Sequence, residues 1–131
     1  MEGTRPGEVM QTILLVDDDL EILEAWQRLL RMNGYSVVTA VDGSAGLAAA
    51  NEIHPALIVT DHSMPGMGGV EFCRQLKLVP KLATVPVVLT SADYKSISAT
   101  PIWDEFWQKP VPTKAMIASI ERLLARPSSP P

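Results

Sequence analysis

The segment from Ala56 to Gly69 constrains the fold of this chain more than any other part of the sequence. It begins with a short apolar run rich in β-branched residues, bounded by Pro55 before it and by a Met-Pro-Gly turn after it. This pattern predicts a strand buried on both faces. The strand leads directly into Asp61, and ligands of parallel α/β sheets bind beyond the carboxyl ends of the strands. We therefore expect a site at Asp61, although a polar residue that merely ends a strand fits this segment equally well.

Four more short apolar runs predict strands, and helical patterns separate them. The predicted strands lie at 12–16, 36–40, 56–60, 85–89 and 104–108. Short connections between alternating strands and helices predict a doubly wound α/β fold, with a five-stranded parallel sheet of order 2-1-3-4-5 and helices on both faces. The segment from Asp93 to Trp103 is rich in Ser and Thr and contains Pro101, so we expect the fourth helix to be short or irregular.

Size and composition fit one domain. The 131 residues carry a net charge of −4 and no Lys/Arg-rich run, which argues against direct nucleic-acid binding. One cysteine, Cys73, excludes an internal disulfide framework, and the sequence shows neither a signal peptide nor a membrane-spanning run. We expect a cytoplasmic domain over 12–125, a flexible leader over 1–11, and a tail or linker stub over 126–131.

Polar side chains from four predicted strands converge at the carboxyl edge of this sheet. They are Asp17, Asp18, Asp61, Thr90 and Lys109. Neighbouring carboxylates repel one another by about 1 to 4 kcal/mol per pair at ~4 Å, and one lysine does not neutralise three of them. A divalent cation is the simplest completion, and oxygen ligands favour Mg²⁺, with Mn²⁺ as a second possibility, over zinc. An aspartate in this setting is a competent nucleophile for phosphoryl transfer.

These motifs together resemble the response-regulator receiver domain of two-component signalling, which has a flavodoxin-like fold. The resemblance covers residues 12–125 through Leu-Leu-Val-Asp-Asp-Asp, Ile-Val-Thr-Asp-His-Ser-Met-Pro-Gly-Met-Gly-Gly, Leu-Thr-Ser-Ala and Lys-Pro. It implies that Asp61 is the phosphoacceptor and that Asp17, Asp18, Asp61 and the backbone carbonyl of Ser63 hold Mg²⁺. It also implies a phosphate-pairing role for Lys109, and a cis Lys109–Pro110 bond.

The same resemblance implies a switch and a set of partners. Thr90 matches the switch hydroxyl and Phe106 the switch aromatic, where phenylalanine lacks the hydroxyl of the more common tyrosine. The implied donor is a phosphohistidine on a histidine kinase or a histidine phosphotransfer protein, and an unidentified downstream protein reads the state. Such a domain catalyses only its own phosphorylation and dephosphorylation and is not otherwise an enzyme. We also expect Trp107 to pack inward and Trp103 to be an exposed anchor.

Two other functions stay open from the sequence. One is a small Mg²⁺-dependent phosphatase with an aspartyl-phosphate intermediate, although the position of its general acid is occupied by Ser63. The other is a phosphorylation-independent interaction module on the same fold, although such modules tend to lose the acceptor, the acidic pair or the lysine, all of which are present here.

Overall fold

The computed structural model describes residues 10–97 and 100–125. The tail predicted at 126–131 and most of the leader predicted at 1–11 lie outside these ranges. The strands are β1 Thr12–Val16, β2 Ser36–Ala40, β3 Leu57–Asp61, β4 Val87–Ser91 and β5 Glu105–Gln108. The α-helices are α1 Leu20–Met32, α2 Gly43–Ile53, α3 Gly69–Lys77 and α4 Thr113–Ala125.

All five strands run parallel in one sheet of order β2-β1-β3-β4-β5, which confirms the predicted fold and strand order. In the register of the central strands, Asp61 pairs with Thr90, and Thr90 pairs in turn with Trp107. Side chains of paired residues in adjacent strands lie on the same face of a sheet. Asp61, Thr90 and Trp107 therefore lie side by side on one face of the sheet.

The helices cover the two faces of the sheet and enclose two apolar clusters. On one face, leucines of α1 and apolar residues of α4, including Ile120, pack with Ile13, Leu15 and Val59. On the other face, α2 and α3 pack over Leu14 and Ile58. A fully buried Leu or Ile contributes about 1.5 to 3 kcal/mol relative to an exposed one, so the two clusters fix the helices on the sheet.

Cys73 lies within the second cluster and is fully buried. Burial raises the pKa of its thiol to about 12, so it behaves as a small apolar residue, as its helical position suggests. No helix in the described ranges is both long enough and apolar enough to cross a bilayer.

The region from β4 to β5 differs in detail from the prediction. β4 begins two residues later than its apolar run, because Val85 belongs to the preceding turn, where its N–H donates to Leu82, and Pro86 has no N–H to donate. Between β4 and β5, the regular structure in the described residues is a 3₁₀ turn, Tyr94–Ser96. The prediction of a short or irregular fourth helix is therefore confirmed.

The two tryptophans near β5 have different outcomes. Trp107 is buried, as predicted. The prediction of an exposed anchor at Trp103 is wrong, because Trp103 is half-buried against the apolar cluster under α2 and α3.

Candidate functional site

Three carboxylates meet where β1 and β3 end. Asp17 and Asp61 are 4% and 8% exposed, whereas Asp18 is exposed to solvent. One oxygen of each carboxylate lies within 4.8 Å of the others, which is close enough for all three to bind one cation. Their oxygen-only chemistry fits a hard divalent cation such as Mg²⁺.

Backbone hydrogen bonds hold the end of β1 in place. The Asp17 N–H donates to the Ala40 carbonyl and extends the pairing with β2 by one residue. The Asp17 carboxylate accepts from the Asp19 N–H at 2.9 Å. Asp19 in turn caps α1 by accepting from the N–H groups of Glu21 and Ile22. Of the three consecutive aspartates, Asp19 therefore serves the helix, and the other two face the site.

The loop after β3 is closed by its backbone. The His62 N–H donates to the Thr90 carbonyl at 2.8 Å, and the Gly69 N–H donates to the His62 carbonyl at 2.9 Å. A Cβ atom at Gly69 would lie 2.2 Å from the Asp61 carbonyl oxygen. Only glycine allows α3 to begin this close to the acidic strand end.

Lys109 joins two of the acids from the end of β5. Its Nζ lies 2.8 Å from Asp61 Oδ1 and 2.9 Å from Asp17 Oδ2. Burial acts to lower the Lys109 pKa, but hydrogen bonds to Asp61 and Asp17 outweigh it, so the pKa lies above its ordinary value. The ammonium therefore stays charged at neutral pH. Its backbone N–H donates to Ser91, and the Lys109–Pro110 bond is cis.

The same surroundings disfavour the charged form of Asp17, whereas they favour that of Lys109. Burial raises its pKa above the ordinary value, and the hydrogen bonds from Asp19 and Lys109 only partly oppose this effect. The nearby Asp61 carboxylate acts in the same direction as burial. One lysine thus leaves the buried acids short of positive charge, which favours a further cation at this position.

The remaining predicted residues lie around this group. Thr90 is fully buried, with its hydroxyl 3.5 Å from Asp61 Oδ1, the long limit of a hydrogen bond. Phe106 is half-buried on the other face of β5, where its ring contacts Tyr94 edge to face at 4.7 Å. Ser63 is in the loop directly after His62, and metal binding by its backbone carbonyl stays a prediction.

Some features of this region were not found from the sequence. Trp26 packs on the core from α1, and it also borders a small gap, without room for a water molecule, that Asp17, Asp61 and Thr90 line as well. A hydrogen-bonded group that joins β5 to α4 was missed because its members are far apart in the chain. Its available signal was Ser119, a polar residue on the otherwise apolar face of α4.

Chemically, the group combines a nucleophile with charge neutralisation. Asp61 offers a carboxylate oxygen beside a lysine ammonium, a buried hydroxyl and two more acids that can hold a cation. This arrangement is typical of sites that transfer phosphoryl groups, where positive groups offset the charge on the peripheral oxygens.

Comparison with known families decides the identity of the domain. Residues 13–121 match the model of the response regulator receiver domain. The chain belongs to this family. The transcriptional regulatory protein PrrA of Mycobacterium tuberculosis is 34% identical to this receiver over 127 residues, which cover 94% of this chain and 54% of PrrA. The receiver therefore spans about half the length of the curated relatives it matches.

Solved structures show the same fold. The receiver is similar to the chemotaxis protein CheY4 of Vibrio cholerae, with a TM-score of 0.78 and 26% identity over 88% of this chain and 99% of CheY4. The receiver domain of the sensor histidine kinase PA1611 from Pseudomonas aeruginosa has a TM-score of 0.81 and 20% identity, with coverage of 90% and 100%. That protein was crystallised with a magnesium ion in its active site cleft. At this identity, the likeness shows the shared fold alone.

Proposed function

We propose that this receiver is the phosphoacceptor of a two-component phosphorelay, with Asp61 as the residue that is phosphorylated. The observation that carries the proposal is the position of Lys109 Nζ, 2.8 Å from Asp61 and 2.9 Å from Asp17. In the sequence, Lys109 is 48 positions from Asp61 and 92 positions from Asp17. A lysine that only served solubility would not be tied to two buried carboxylates.

The cation in this proposal is Mg²⁺, with Mn²⁺ able to replace it. Asp17, Asp18 and Asp61 would hold it together with the backbone carbonyl of Ser63, since these are oxygen ligands of the kind that Mg²⁺ prefers. The bound cation supplies charge neutralisation at the phosphoryl oxygens. Asp18 is exposed, so the ligand set opens towards solvent on the side where a donor approaches.

The residues of this chain divide the work of transfer. An Asp61 oxygen attacks phosphorus, a P–O bond forms, and the P–N bond of the donor phosphohistidine breaks, with its electron pair returning to the imidazole. Lys109 exchanges its contact with Asp61 for one with a phosphoryl oxygen, and the Thr90 hydroxyl donates to another. Positioning and charge neutralisation dominate catalysis of such transfers, and no other covalent chemistry is asked of the chain.

Signalling in this proposal is a change of protein contacts within the cytoplasm. Thr90 moves towards the phosphorylated Asp61, and the Phe106 ring, on the other face of β5, turns inward in response. The donor is a histidine kinase or a histidine phosphotransfer protein, and an unidentified protein reads the new surface. The net charge of −4 favours a protein over nucleic acid as the direct partner of this domain. We take residues 12–125 as the receiver.

Intact-mass spectrometry after incubation with Mg²⁺ and acetyl phosphate tests the proposal. The wild-type chain is expected to gain one phosphoryl group and Asp61→Asn none. Asp19→Asn is the matched control, because asparagine caps helices as well as aspartate does, so it should still be phosphorylated. A modification that persists in Asp61→Asn, or no modification of the wild type, would contradict the proposal. Sustained hydrolysis of an aryl phosphate would favour the phosphatase instead.

A further inference from the structure

A connected group of polar side chains leads from β5 to the surface of α4. The Trp107 indole N–H donates to Ser119 Oγ at 3.0 Å, and the Ser119 hydroxyl donates to the Glu105 carboxylate. Arg122 donates to both Glu105 oxygens at 2.7 Å. We refer to these four residues as the Trp107 relay. Trp107 and Ser119 are buried, whereas the Arg122 end reaches solvent.

The inner end of the relay adjoins the phosphorylation site. Trp107 is the strand neighbour of Thr90, and the two side chains share a face of the sheet. The Trp107 ring also contacts Trp26 edge to face at 6.2 Å. Trp26 in turn borders the same small gap as Asp61 and Thr90. We therefore expect a displacement of Thr90 to change the surroundings of the Trp107 and Trp26 indoles, which contact each other.

The relay is well suited to transmit such a displacement. A buried indole N–H without a partner costs about 1 to 3 kcal/mol, so Trp107 and Ser119 are expected to move together. The one hydroxyl proton of Ser119 is donated in its hydrogen bond to Glu105. A movement of Ser119 is therefore expected to displace the Glu105 carboxylate. Arg122 donates to both Glu105 oxygens, including the one that accepts from Ser119, and its side chain is 62% exposed. A movement inside the sheet thereby reaches an accessible ion pair.

On the opposite face of β5, the described residues make fewer contacts that could transmit such a movement. There Phe106 contacts the exposed Tyr94, and the described residues after β4 form a 3₁₀ turn in place of a full helix. We propose that a change of state at Asp61 is transmitted in this receiver through Trp107 and Ser119 to the Glu105–Arg122 ion pair between β5 and α4. The inference rests on the proposed function, since it needs phosphorylation of Asp61 as the input.

NMR of the three indole N–H groups and the Arg122 Nε–H group tests the inference in the full chain, with Mg²⁺ and beryllofluoride as the probe. In the wild type, the signals of Trp26, Trp107 and Arg122 are expected to shift, and Asp61→Asn abolishes all three shifts. In Ser119→Ala, the Trp26 shift is expected to persist and the Arg122 shift to be lost. Ser119→Thr keeps the hydroxyl and is expected to restore the Arg122 response.

Two further variants keep the result decisive. Glu105→Gln interrupts the relay without disturbing the core, so it should also remove the Arg122 response if Ser119→Ala does not fold. Tyr94→Ala, on the opposite face, should leave that response unchanged. An Arg122 shift that survives in Ser119→Ala or Glu105→Gln, or a wild type in which Trp26 responds and Arg122 does not, would overturn the relay alone. The absence of any Asp61-dependent shift would overturn the proposed function and the relay with it.

Discussion

The loop after β3 and the segment after β4 leave the same edge of the sheet, but different forces hold them. The β3 loop is closed by the hydrogen bond from Gly69 to His62, and it leads into α3 with Gly69 pressed against the Asp61 carbonyl. The β4 segment leads into a three-residue 3₁₀ turn. Side-chain contacts tie it to β5, among them the Tyr94–Phe106 ring pair and a hydrogen bond from Gln108 to the Ala92 carbonyl.

This difference separates two tasks at one site. The backbone fixes Asp61 next to Asp17, and a fixed geometry is what a cation with strict coordination requires. The segment after β4 begins just beyond Thr90, and its Tyr94 contacts Phe106; Thr90 and Phe106 are the two residues proposed to move. Segments with few buried contacts open at lower free energy than packed helices. We therefore expect the segment after β4 to be displaced more easily than the loop that follows Asp61.

Removing Lys109 should have the largest effect, since this residue connects the β5 end to the rigid acids. Lys109→Met leaves Asp17 and Asp61 buried without their ammonium partner, which is expected to cost about 3 kcal/mol of unfolding free energy. Urea unfolding measures this loss, and added Mg²⁺ should recover part of it. Lys114→Met, an exposed lysine on α4, is the control and should be neutral. Equal stabilities of the two variants would contradict the bridging role.

Gly69→Ala should be the next most damaging, because it tests the backbone closure of the β3 loop. The new Cβ atom would lie 2.2 Å from the Asp61 carbonyl oxygen and 2.8 Å from Leu89. We expect a loss of about 2 to 3 kcal/mol, as in other overpacked sites. The neighbouring Gly68→Ala meets the His62 carbonyl at 3.2 Å and should cost clearly less. The idea of a rigid loop fails if calorimetry finds the two variants alike.

Tyr94→Ala should have a smaller effect, since it removes only an exposed ring from the β4 segment. Edge-to-face aromatic pairs contribute about 0.5 to 1.5 kcal/mol, and Tyr94 is 53% exposed, so about 0.5 kcal/mol is expected. Hydrogen exchange should show faster exchange near the 3₁₀ turn and no change in α3. Slower exchange of α3 than of the turn is also expected in the wild type, and the reverse order would contradict the comparison.

The Glu105–Arg122 pair, outside both regions, should give the smallest effect. Burial acts to raise the Glu105 pKa, but hydrogen bonds from Ser119 and Arg122 outweigh it and hold the pKa below its ordinary value of 4.5. A lowered pKa means that Glu105 contributes stability above pH 4.5, and that this contribution is lost as the pH falls through the folded value. The stability of Glu105→Gln should therefore depend less on pH below 4.5. Identical acid profiles for the variant and the wild type would exclude this contribution.

The sequence predicted the ends of β1 and β3 better than the region from β4 to β5. Apolar runs that end in Asp17 and Asp61 identify strands and site together, because strand order alone brings their ends to one edge. The start of β4 was predicted wrongly because hydrophobicity does not distinguish the turn at Val85 from the strand that follows. Trp103 was predicted wrongly because its burial comes from packing against the cluster under α2 and α3, which are distant from it in the sequence. The Trp107 relay depends on distances across elements, which no local pattern encodes.

The central claim is that Asp17, Asp18 and Asp61 together hold a divalent cation beside the acceptor oxygen. Anomalous diffraction from crystals grown with Mn²⁺ measures this directly. We expect one strong peak within bonding distance of these three carboxylates, and none at that position in crystals of Asp17→Asn. A peak bound elsewhere, or no peak at these carboxylates in the wild type, would contradict it.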